Sequence, residues 1–352
     1  MPDKNKIKNR LNSAIERRAF PGCAVGWVVD GDESVVTAGR FTYDVDAPIV
    51  TENSIFDCAS ITKSIPVSAL ALWMIDRGMM GINDRLIDYV PEYRGAFRSD
   101  IRVKHLLTHT LDFDFRLSEH KDFPPEKLLD SILDVKMKSL PGEKFCYANA
   151  TSILLGMVLE TVSCKSLHVL AKETFFDPLE MRDTKFFLDD ANIPGCVPTE
   201  NDPWRGRVIQ GEVHDESAWT LQRIMTPGSA GMFSTVPDLL KFVKMLIAGG
   251  EPFFRPETVE AMYTNQIPHI KNQYAGLGWE LNQEYMGANR SQAAFGKTGF
   301  TGCAVIIDIT KKLGVVMLSN YTWPTRKPNR DLINEIRGVV ADLVTTPKMT
   351  RV

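Results

Sequence analysis

The chain has 352 residues, of which 44% are hydrophobic and 24% charged, as expected for a globular protein of one large or two medium domains. A net charge of −3 gives no reason to expect a nucleic acid or an anionic membrane as partner. The chain has no run of roughly 18 apolar residues and its charged N-terminal region lacks the apolar segment of a secretory signal, so we predict a cytoplasmic protein without a membrane partner.

The predicted elements begin with an amphipathic helix over residues 6–18, which is followed by a Pro-Gly stop signal. Two β-rich runs at 23–30 and 34–40 flank a Gly-Asp turn and predict a hairpin. From Ser60 an apolar helical pattern continues to residue 78. The N-terminal part is therefore expected to place a hairpin between two helices.

The middle of the chain is mainly helical, and the C-terminal part returns to β patterning. An irregular stretch at 176–215 separates the predicted helices, which lie at 103–107, 128–137, 150–162, 237–248 and 256–265. Short apolar runs then predict strands at 277–280, 302–308 and 313–320. A last helix is predicted at 331–344.

Strands are thus expected near both ends of the sequence, with helices between them. The simplest packing is an α/β (α+β) fold, in which a mostly antiparallel sheet is flanked by the N- and C-terminal helices and carries a large helical insertion. We predict one α/β domain built from residues 1–58 and 266–352, and a mainly helical domain at 59–265. A ligand cleft is expected between the two parts.

The start of the helix that follows residue 58 carries a possible nucleophile. Ser60 and Lys63 are three residues apart, which places both side chains on one helix face. A lysine in a dry cleft becomes easier to deprotonate and could accept the proton of the serine hydroxyl. The alternative is an ordinary helix cap followed by a solvated lysine.

Two further short stretches could contribute to the same site. Tyr147 and Asn149 are two residues apart, so an extended segment would point both side chains the same way, although an aromatic anchor with an asparagine cap is the alternative. Lys297, Thr298 and Gly299 precede a predicted strand, where small residues let a ligand approach the backbone closely. A turn with one exposed lysine would explain that stretch equally well.

The ordered set Ser60-x-x-Lys63, Tyr147-x-Asn149 and Lys297-Thr298-Gly299 resembles the serine β-lactamase and penicillin-binding protein superfamily. The tyrosine in the second motif resembles the class C branch and its related esterases and D-peptidases. The similarity extends over roughly residues 10–345 and includes the segments 103–110, 211–215, 228–235 and 299–302. The resemblance implies a β-lactamase/transpeptidase-like fold.

The resemblance also implies roles for the site residues. Ser60 would be the acylated nucleophile, Lys63 its proton partner, and Tyr147 a general base that later protonates the leaving group. Asn149 would orient Lys63 and hold a substrate amide. The substrate-binding edge would comprise Lys297, Thr298, Gly299 and Phe300, with the backbone N–H groups of Ser60 and Phe300 as the oxyanion hole.

The sequence departs from the family pattern at two places. Pro66 falls on the second turn of the Ser60 helix, where it removes a hydrogen bond and could change the aim of Lys63. The segment 110–113 lacks the Ser-Gly pair that is usual in relatives, which affects the expected shape of one cleft edge.

Other candidate groups receive structural interpretations. His105 and His109 have helical zinc-ligand spacing but lack the accompanying glutamate, and the six cysteines show no metal-ligand pairing, so no metal and no cofactor is predicted. His214 and Asp215 could imitate a serine–histidine–aspartate triad with Ser60. Since lysine and tyrosine already supply proton transfer, we expect a structural role for this pair.

We therefore predict a serine hydrolase that forms an acyl-enzyme with esters, amides or D-amino-acid peptides, with a small molecule or peptide as its partner. The alternatives are a β-lactamase or D,D-carboxypeptidase, and a non-catalytic penicillin-binding or scaffold protein. Lys297 further suggests a substrate with a carboxylate near the scissile bond. No oligomeric state is predicted.

Overall fold

The structure, a computed structural model, describes residues 2–345 and has the α+β architecture expected from the sequence. The strands, in chain order, are β1 Gly22–Val29, β2 Asp32–Gly39, β3 Phe56–Asp57, β4 Glu200–Asp202, β5 Arg207–Ile209, β6 Phe233–Ser234, β7 Glu280–Leu281, β8 Ala294–Thr298, β9 Ala304–Asp308 and β10 Leu313–Ser319. The α-helices are α1 Lys4–Glu16, α2 Ala69–Asp76, α3 Leu86–Tyr89, α4 Val103–Thr108, α5 Pro125–Leu133, α6 Asn149–Ser163, α7 Leu167–Ala171, α8 Glu216–Leu221, α9 Val236–Ile247, α10 Pro256–Tyr263 and α11 Asp331–Thr345.

The largest sheet has six antiparallel strands in the order β2-β1-β10-β9-β8-β7. The first hairpin of the chain pairs with the last strand, so both ends of the sequence build one sheet. The two short pairs β3-β6 and β4-β5 lie outside it. The predicted antiparallel sheet, formed from both termini, is confirmed.

Helices cover both faces of this sheet. On one face, α1 and α11 bury an apolar layer that includes Leu11, Trp27 and Ile336. On the other face α9 packs so closely that a Cβ at Gly26 would lie 2.4 Å from a side-chain carbon of Val236. Glycine in β1 therefore sets the spacing between this helix and the sheet.

The division into domains at residues 58/59 and 265/266 stays a prediction. One hydrophobic core contains both helical residues such as Leu154 and sheet residues such as Val316. Apolar packing is therefore continuous from the helical part to the sheet. The cleft described below is lined by residues of both parts, among them Tyr147 and Lys297.

Several predicted boundaries are wrong. No strand is predicted around Lys297, but the stretch forms β8, because pairing with β7 and β9 supplies the order that its own sequence does not favour. The strand predicted from residue 302 begins at Ala304, because Gly302 has a φ of 120° that does not fit a strand. The helix predicted at 128–137 is α5, Pro125–Leu133.

None of the helices within residues 2–345 is by itself long and apolar enough to cross a membrane. The helix pair Asn149–Ser163 and Leu167–Phe176, bent by 76°, passes that test only jointly and only by length and composition.

Candidate active site

The candidate nucleophile lies on a short turn directly after β3. Residues Ala59–Lys63 form a 3₁₀ helix, in which side chains three apart are nearly eclipsed. Ala59 has a φ of 46°, and its N–H donates to Oδ1 of Asp57 at 2.7 Å. This sharp entry to the turn places Ser60 and Lys63 side by side, with Ser60 facing the cleft.

Lys63 lies beneath the nucleophile and is only 1% exposed. Its Nζ is 2.8 Å from Oγ of Ser60 and donates to the carbonyl oxygen of Ser229 at 2.6 Å. Burial lowers the pKa of Lys63, and the positive charge of Lys297 lowers it further, against the opposing effects of Tyr147 and Asp215. The ammonium form is therefore disfavoured at the position where a proton acceptor for Ser60 would be needed.

The helix expected to run from Ser60 to residue 78 is interrupted after Lys63. Ile65, which precedes Pro66, has φ and ψ of −116° and 111°, and α2 begins only at Ala69. The residue before a proline is disfavoured in helical conformation, which accounts for the break. Since the break follows Lys63, the lysine still reaches Ser60.

Tyr147 stands above both lysines at the mouth of the cleft and is 42% exposed. The Nζ atoms of Lys297 and Lys63 are 4.2 Å and 5.2 Å from the centre of its ring, and its hydroxyl makes a polar contact with Ser60. Burial of the hydroxyl alone would raise the pKa of Tyr147, but Lys297 and then Lys63 outweigh that effect and lower it. The phenolate therefore forms more easily beside the serine than it does in an ordinary tyrosine.

Asn149 is the first residue of α6. It is held by Asp215, for which the sequence predicted only a structural role. Its Nδ2 donates to Oδ2 of Asp215 at 2.9 Å and to Oγ of Ser217 at 3.3 Å. Burial would raise the pKa of Asp215, but the hydrogen bond from Ser217 and the charge of Lys63 lower it. Asn149 therefore faces Asp215, whose negative charge acts on Lys63.

Lys297 is 2% exposed and is already paired with an acidic residue. Its Nζ is 2.7 Å from Oε1 of Glu280, while Oε2 of Glu280 accepts from the Tyr285 hydroxyl at 2.9 Å. Burial alone would lower the pKa of Lys297, but Glu280 and then Tyr147 outweigh it and raise it. Lys297 is therefore a charged lysine with an internal partner, which the sequence argument did not foresee.

The chain after β8 turns back towards the nucleophile. A Cβ at Gly299 would lie 2.5 Å from the carbonyl oxygen of Cys58, so glycine is required for this close approach. The buried Arg337 donates to the carbonyl oxygens of Gly299 and Cys303 at 2.9 Å and 2.8 Å. These contacts hold Phe300 next to the turn that carries Ser60.

The remaining candidates take other partners. Nε2 of His214 is 2.7 Å from Oε2 of Glu200, and its ring stacks on Phe300 at 5.7 Å, so His214 is directed towards Glu200 and not into a triad with Ser60. His105 accepts the N–H of Arg102 at 3.1 Å, and His109 packs against the ring of Tyr147 at 4.9 Å. Sequence spacing alone could not separate these roles.

A cleft of about 480 Å³ connects the predicted residues. Its lining includes Ser60, Tyr147, Asn149, Lys297, Thr298 and Phe300. Lys63 lies just beneath Ser60 and contacts it directly. The structure therefore brings the three separate motifs of the sequence into one site, and adds Asp215 and Glu280 to it.

The arrangement of a serine, two buried lysines and a tyrosine in one cleft is typical of hydrolases that acylate a serine. The chain belongs to the Beta-lactamase family, whose model matches residues 7–337.

The relatives of the chain include proteins with several activities. It is 25% identical over 308 residues to a putative D-alanyl-D-alanine carboxypeptidase of Salmonella agona (strain SL483), a match that covers 77% of this chain and 70% of that protein. In fold it is similar to EstCE1, a hydrolase with promiscuous acyltransferase activity, with a TM-score of 0.78, 19% identity, and coverage of 97% and 98%. Simvastatin synthase LovD from Aspergillus terreus also gives a TM-score of 0.78, at 16% identity and 98% coverage of both chains. The family membership and the Salmonella relative support the predicted serine hydrolase. The two solved structures support the predicted β-lactamase/transpeptidase-like fold.

Proposed function

We propose that this serine hydrolase forms an acyl-enzyme on Ser60 and acts on esters, amides or D-amino-acid peptides. The observation that best supports this proposal is the 2.8 Å contact between Nζ of Lys63 and Oγ of Ser60. Beside it, the ring of Tyr147 lies over the two buried lysines, Lys63 and Lys297. A small molecule or peptide would enter the cleft described above.

In the first half-reaction, Oγ of Ser60 attacks the carbonyl carbon of the substrate. The proton of the hydroxyl passes to the pair formed by Lys63 and Tyr147, which is active when it has lost one proton. Tyr147 then returns that proton to the leaving group as the bond to the carbonyl carbon breaks. In the second half-reaction, a water molecule or another acceptor attacks the acyl-enzyme by the same proton path in reverse.

The charge that develops on the substrate oxygen needs donors fixed in advance. We assign this role to the backbone N–H groups of Ser60 and Phe300, and the lining of one cleft by both residues supports the assignment, as does the close approach of Gly299 to Cys58. Asn149 would hold Asp215 and bind a substrate amide, and Thr298, which lines the cleft, would contact the acyl chain.

The second candidate function is D,D-carboxypeptidase or β-lactamase activity. It is favoured by the named Salmonella relative. A cytoplasmic location and the division into a sheet domain and a helical domain are further predictions that rest on the sequence.

Intact-mass detection of Ser60 acylation tests the proposal. We expect a fluorophosphonate probe to add one adduct to the wild type and none to Ser60→Ala. Esters, D-peptides and β-lactams would then be compared by the rise and decay of their acyl-enzymes. A folded wild type that takes up no adduct on Ser60 would overturn the proposal.

A further inference from the structure

Arg337 is a buried arginine of α11 that lies behind the turn following β8. It is 1% exposed, and burial lowers its pKa to about 10, so its guanidinium remains charged at neutral pH. Its hydrogen-bond acceptors within residues 2–345 are three neutral oxygens, which belong to the carbonyls of Gly299 and Cys303 and to the side chain of Asn334, at 2.9, 2.8 and 2.8 Å. A buried charge held by neutral groups is costly, so the turn that Arg337 contacts is of particular interest.

The peptide unit between Gly299 and Phe300 is held firmly within this turn. The N–H of Gly299 donates to the carbonyl oxygen of Cys303 at 2.7 Å. The carbonyl oxygen of Gly299 accepts from Arg337 at 2.9 Å and from the N–H of Gly302 at 3.1 Å. Because Arg337 donates to both carbonyl oxygens of this turn, rotating the peptide would break several hydrogen bonds at once.

The orientation of that peptide determines where the N–H of Phe300 is directed. The peptide bond is trans, and the C=O and N–H groups of a planar trans peptide point in opposite directions. Since the Gly299 carbonyl faces Arg337, the N–H of Phe300 is directed away from the guanidinium. Within residues 2–345 this N–H donates to no acceptor, and Phe300 lines the cleft together with Ser60. A donor left unused beside the nucleophile is what an oxyanion hole requires.

We propose that Arg337 is a positioning residue of the oxyanion hole, which orients and polarises the Gly299–Phe300 peptide from behind. Arg337 does not touch the substrate, and it acts through the N–H of Phe300. This inference rests on the proposed acyl-enzyme function and on the oxyanion role assigned above to Phe300.

Polarisation follows from the charge of the donor. Hydrogen bonds from a charged group are stronger than those from a neutral one, and hydrogen bonds in a chain strengthen one another. A guanidinium on the Gly299 carbonyl draws electron density from the amide nitrogen, so the N–H of Phe300 becomes a better donor to a developing oxyanion. The N–H of Gly302 contacts the same carbonyl but is neutral. Without Arg337 the turn should therefore keep its path, while the oxyanion donor should become weaker and less well aligned.

The test compares two reagents for Ser60, a fluorophosphonate and its thiono analogue, in which sulfur replaces the phosphoryl oxygen. They differ in the atom that would enter the oxyanion hole, and sulfur is a weak hydrogen-bond acceptor. We expect Arg337→Met to slow fluorophosphonate labelling by about tenfold, which is less than the loss of a whole donor, and to slow the thiono analogue much less. The ratio of the two second-order rates, measured by intact mass, should therefore fall by about fivefold or more. The intrinsic reactivities of the reagents cancel when this ratio is compared between proteins.

Two further substitutions at Arg337 separate its charge from its packing. Arg337→Lys keeps a positive charge and should retain most of the wild-type ratio. Arg337→Gln keeps a polar side chain without the charge, so its ratio should fall towards that of Arg337→Met. Thermal unfolding verifies that each variant is folded, and the comparison of lysine with glutamine decides the matter if Arg337→Met does not fold.

Arg205 provides a matched control for the loss of a buried arginine. Its side chain is 2% exposed and donates to the carbonyl oxygens of Val213 and His214 at 2.8 and 3.0 Å. Arg205→Met should lower the thermal unfolding temperature, as Arg337→Met does, but it should leave the ratio of the two labelling rates unchanged. A role of Arg337 in stability alone would give the same result for both arginines.

The outcomes of this inference and of the proposed function are distinguishable. If Ser60 is labelled but folded Arg337 variants slow both reagents by the same factor, or slow neither, the inference is wrong while the acyl-enzyme function stands. An equal fall of the ratio in Arg337→Lys and Arg337→Gln would show that the charge plays no part, which also overturns it. If Ser60 of the wild type is not labelled at all, the acyl-enzyme function fails and the inference fails with it.

Discussion

The two lysines beside Tyr147 are equally buried and yet differ in chemistry. Lys63 is 1% exposed and Lys297 is 2% exposed, and both face the same aromatic ring. Lys63 contacts a hydroxyl and a backbone carbonyl, whereas Lys297 contacts a carboxylate. The pKa of Lys63 is lowered by burial, and the pKa of Lys297 is raised because Glu280 outweighs burial.

The difference shows that burial sets the cost of the charge and the partner decides whether that cost is compensated. A neutral hydroxyl does not compensate for lost hydration, so Lys63 can lose its proton more easily. A carboxylate does, so Lys297 keeps its proton and acts as a fixed positive charge. The first lysine is suited to moving protons and the second to stabilising the phenolate of Tyr147.

Replacing each lysine by methionine should therefore affect acylation unequally. Lys63→Met removes the proposed proton partner of Ser60 and should slow fluorophosphonate labelling by about 10²- to 10⁴-fold. Lys297→Met removes only a charge that favours the Tyr147 phenolate, so its effect should be clearly smaller. The measurement is the second-order labelling rate at pH 7.5, with the exposed Lys271→Met as a matched control. Equal losses in the two buried variants would contradict the assignment of separate roles.

The same two variants should also differ in their effect on stability. Lys297→Met leaves Glu280 without its cation and should reduce the free energy of unfolding by about 3 kcal/mol at neutral pH. Lys63→Met removes a buried charge without a direct carboxylate partner and should leave the free energy of unfolding unchanged or raise it. Urea unfolding at pH 7.0, 8.0 and 9.5 measures both effects.

The pH dependence follows from the direction of each pKa. The folded pKa of Lys63 lies below its ordinary value of 10.5, so the unfolded chain binds more protons between the two values and stability rises with pH there. The advantage of Lys63→Met should shrink as the pH approaches 10.5. The folded pKa of Lys297 lies above 10.5, so its contribution is complete below that value and is lost only as the pH rises through the folded pKa. An advantage of Lys63→Met that grows with pH would show that the pKa direction is wrong.

The contrast between the lysines also separates what the sequence could reveal from what it could not. The Ser60–Lys63 contact is local, because two side chains three residues apart share one face of any helical turn. The effect of Pro66 was anticipated as a local irregularity, and the chain does break at Ile65. The order of the motifs predicted that Tyr147 and Lys297 lie beside Ser60. The roles of the two residues stay proposals.

The partners that set the two pKa directions were out of reach of sequence reasoning. Glu280 meets Lys297 only because β7 pairs with β8, and β8 itself was missed because Gly296 and Lys297 weaken its apolar pattern. Asp215 was considered only beside His214, although its carboxylate accepts from Asn149 across 66 positions of sequence. Both are non-local contacts, which depend on the packing of the whole fold.

Asp215 is a more distant counter-charge of Lys63, and replacing it allows a further comparison with Lys297. Asp215 raises the pKa of Lys63 through its charge, without the direct ion pair that Lys297 has. Asp215→Asn removes the charge but keeps a side chain that can cap α8, as Asp215 does through the N–H of Ala218. The first proton of the Lys63–Tyr147 pair should then leave more easily, and the acidic limb of the acylation profile should move to lower pH.

The plateau rate of Asp215→Asn should change by less than about tenfold, since the proton acceptors themselves remain. Ser217→Ala is the matched control, because it removes a hydroxyl partner of Asp215 and leaves its charge in place. Its acidic limb should stay closer to that of the wild type. The measurement is the labelling rate between pH 5 and 9 for the three proteins. If Asp215→Asn moves the limb to higher pH, the charge state of Lys63 does not control acylation, and the two lysines would have to be assigned new roles.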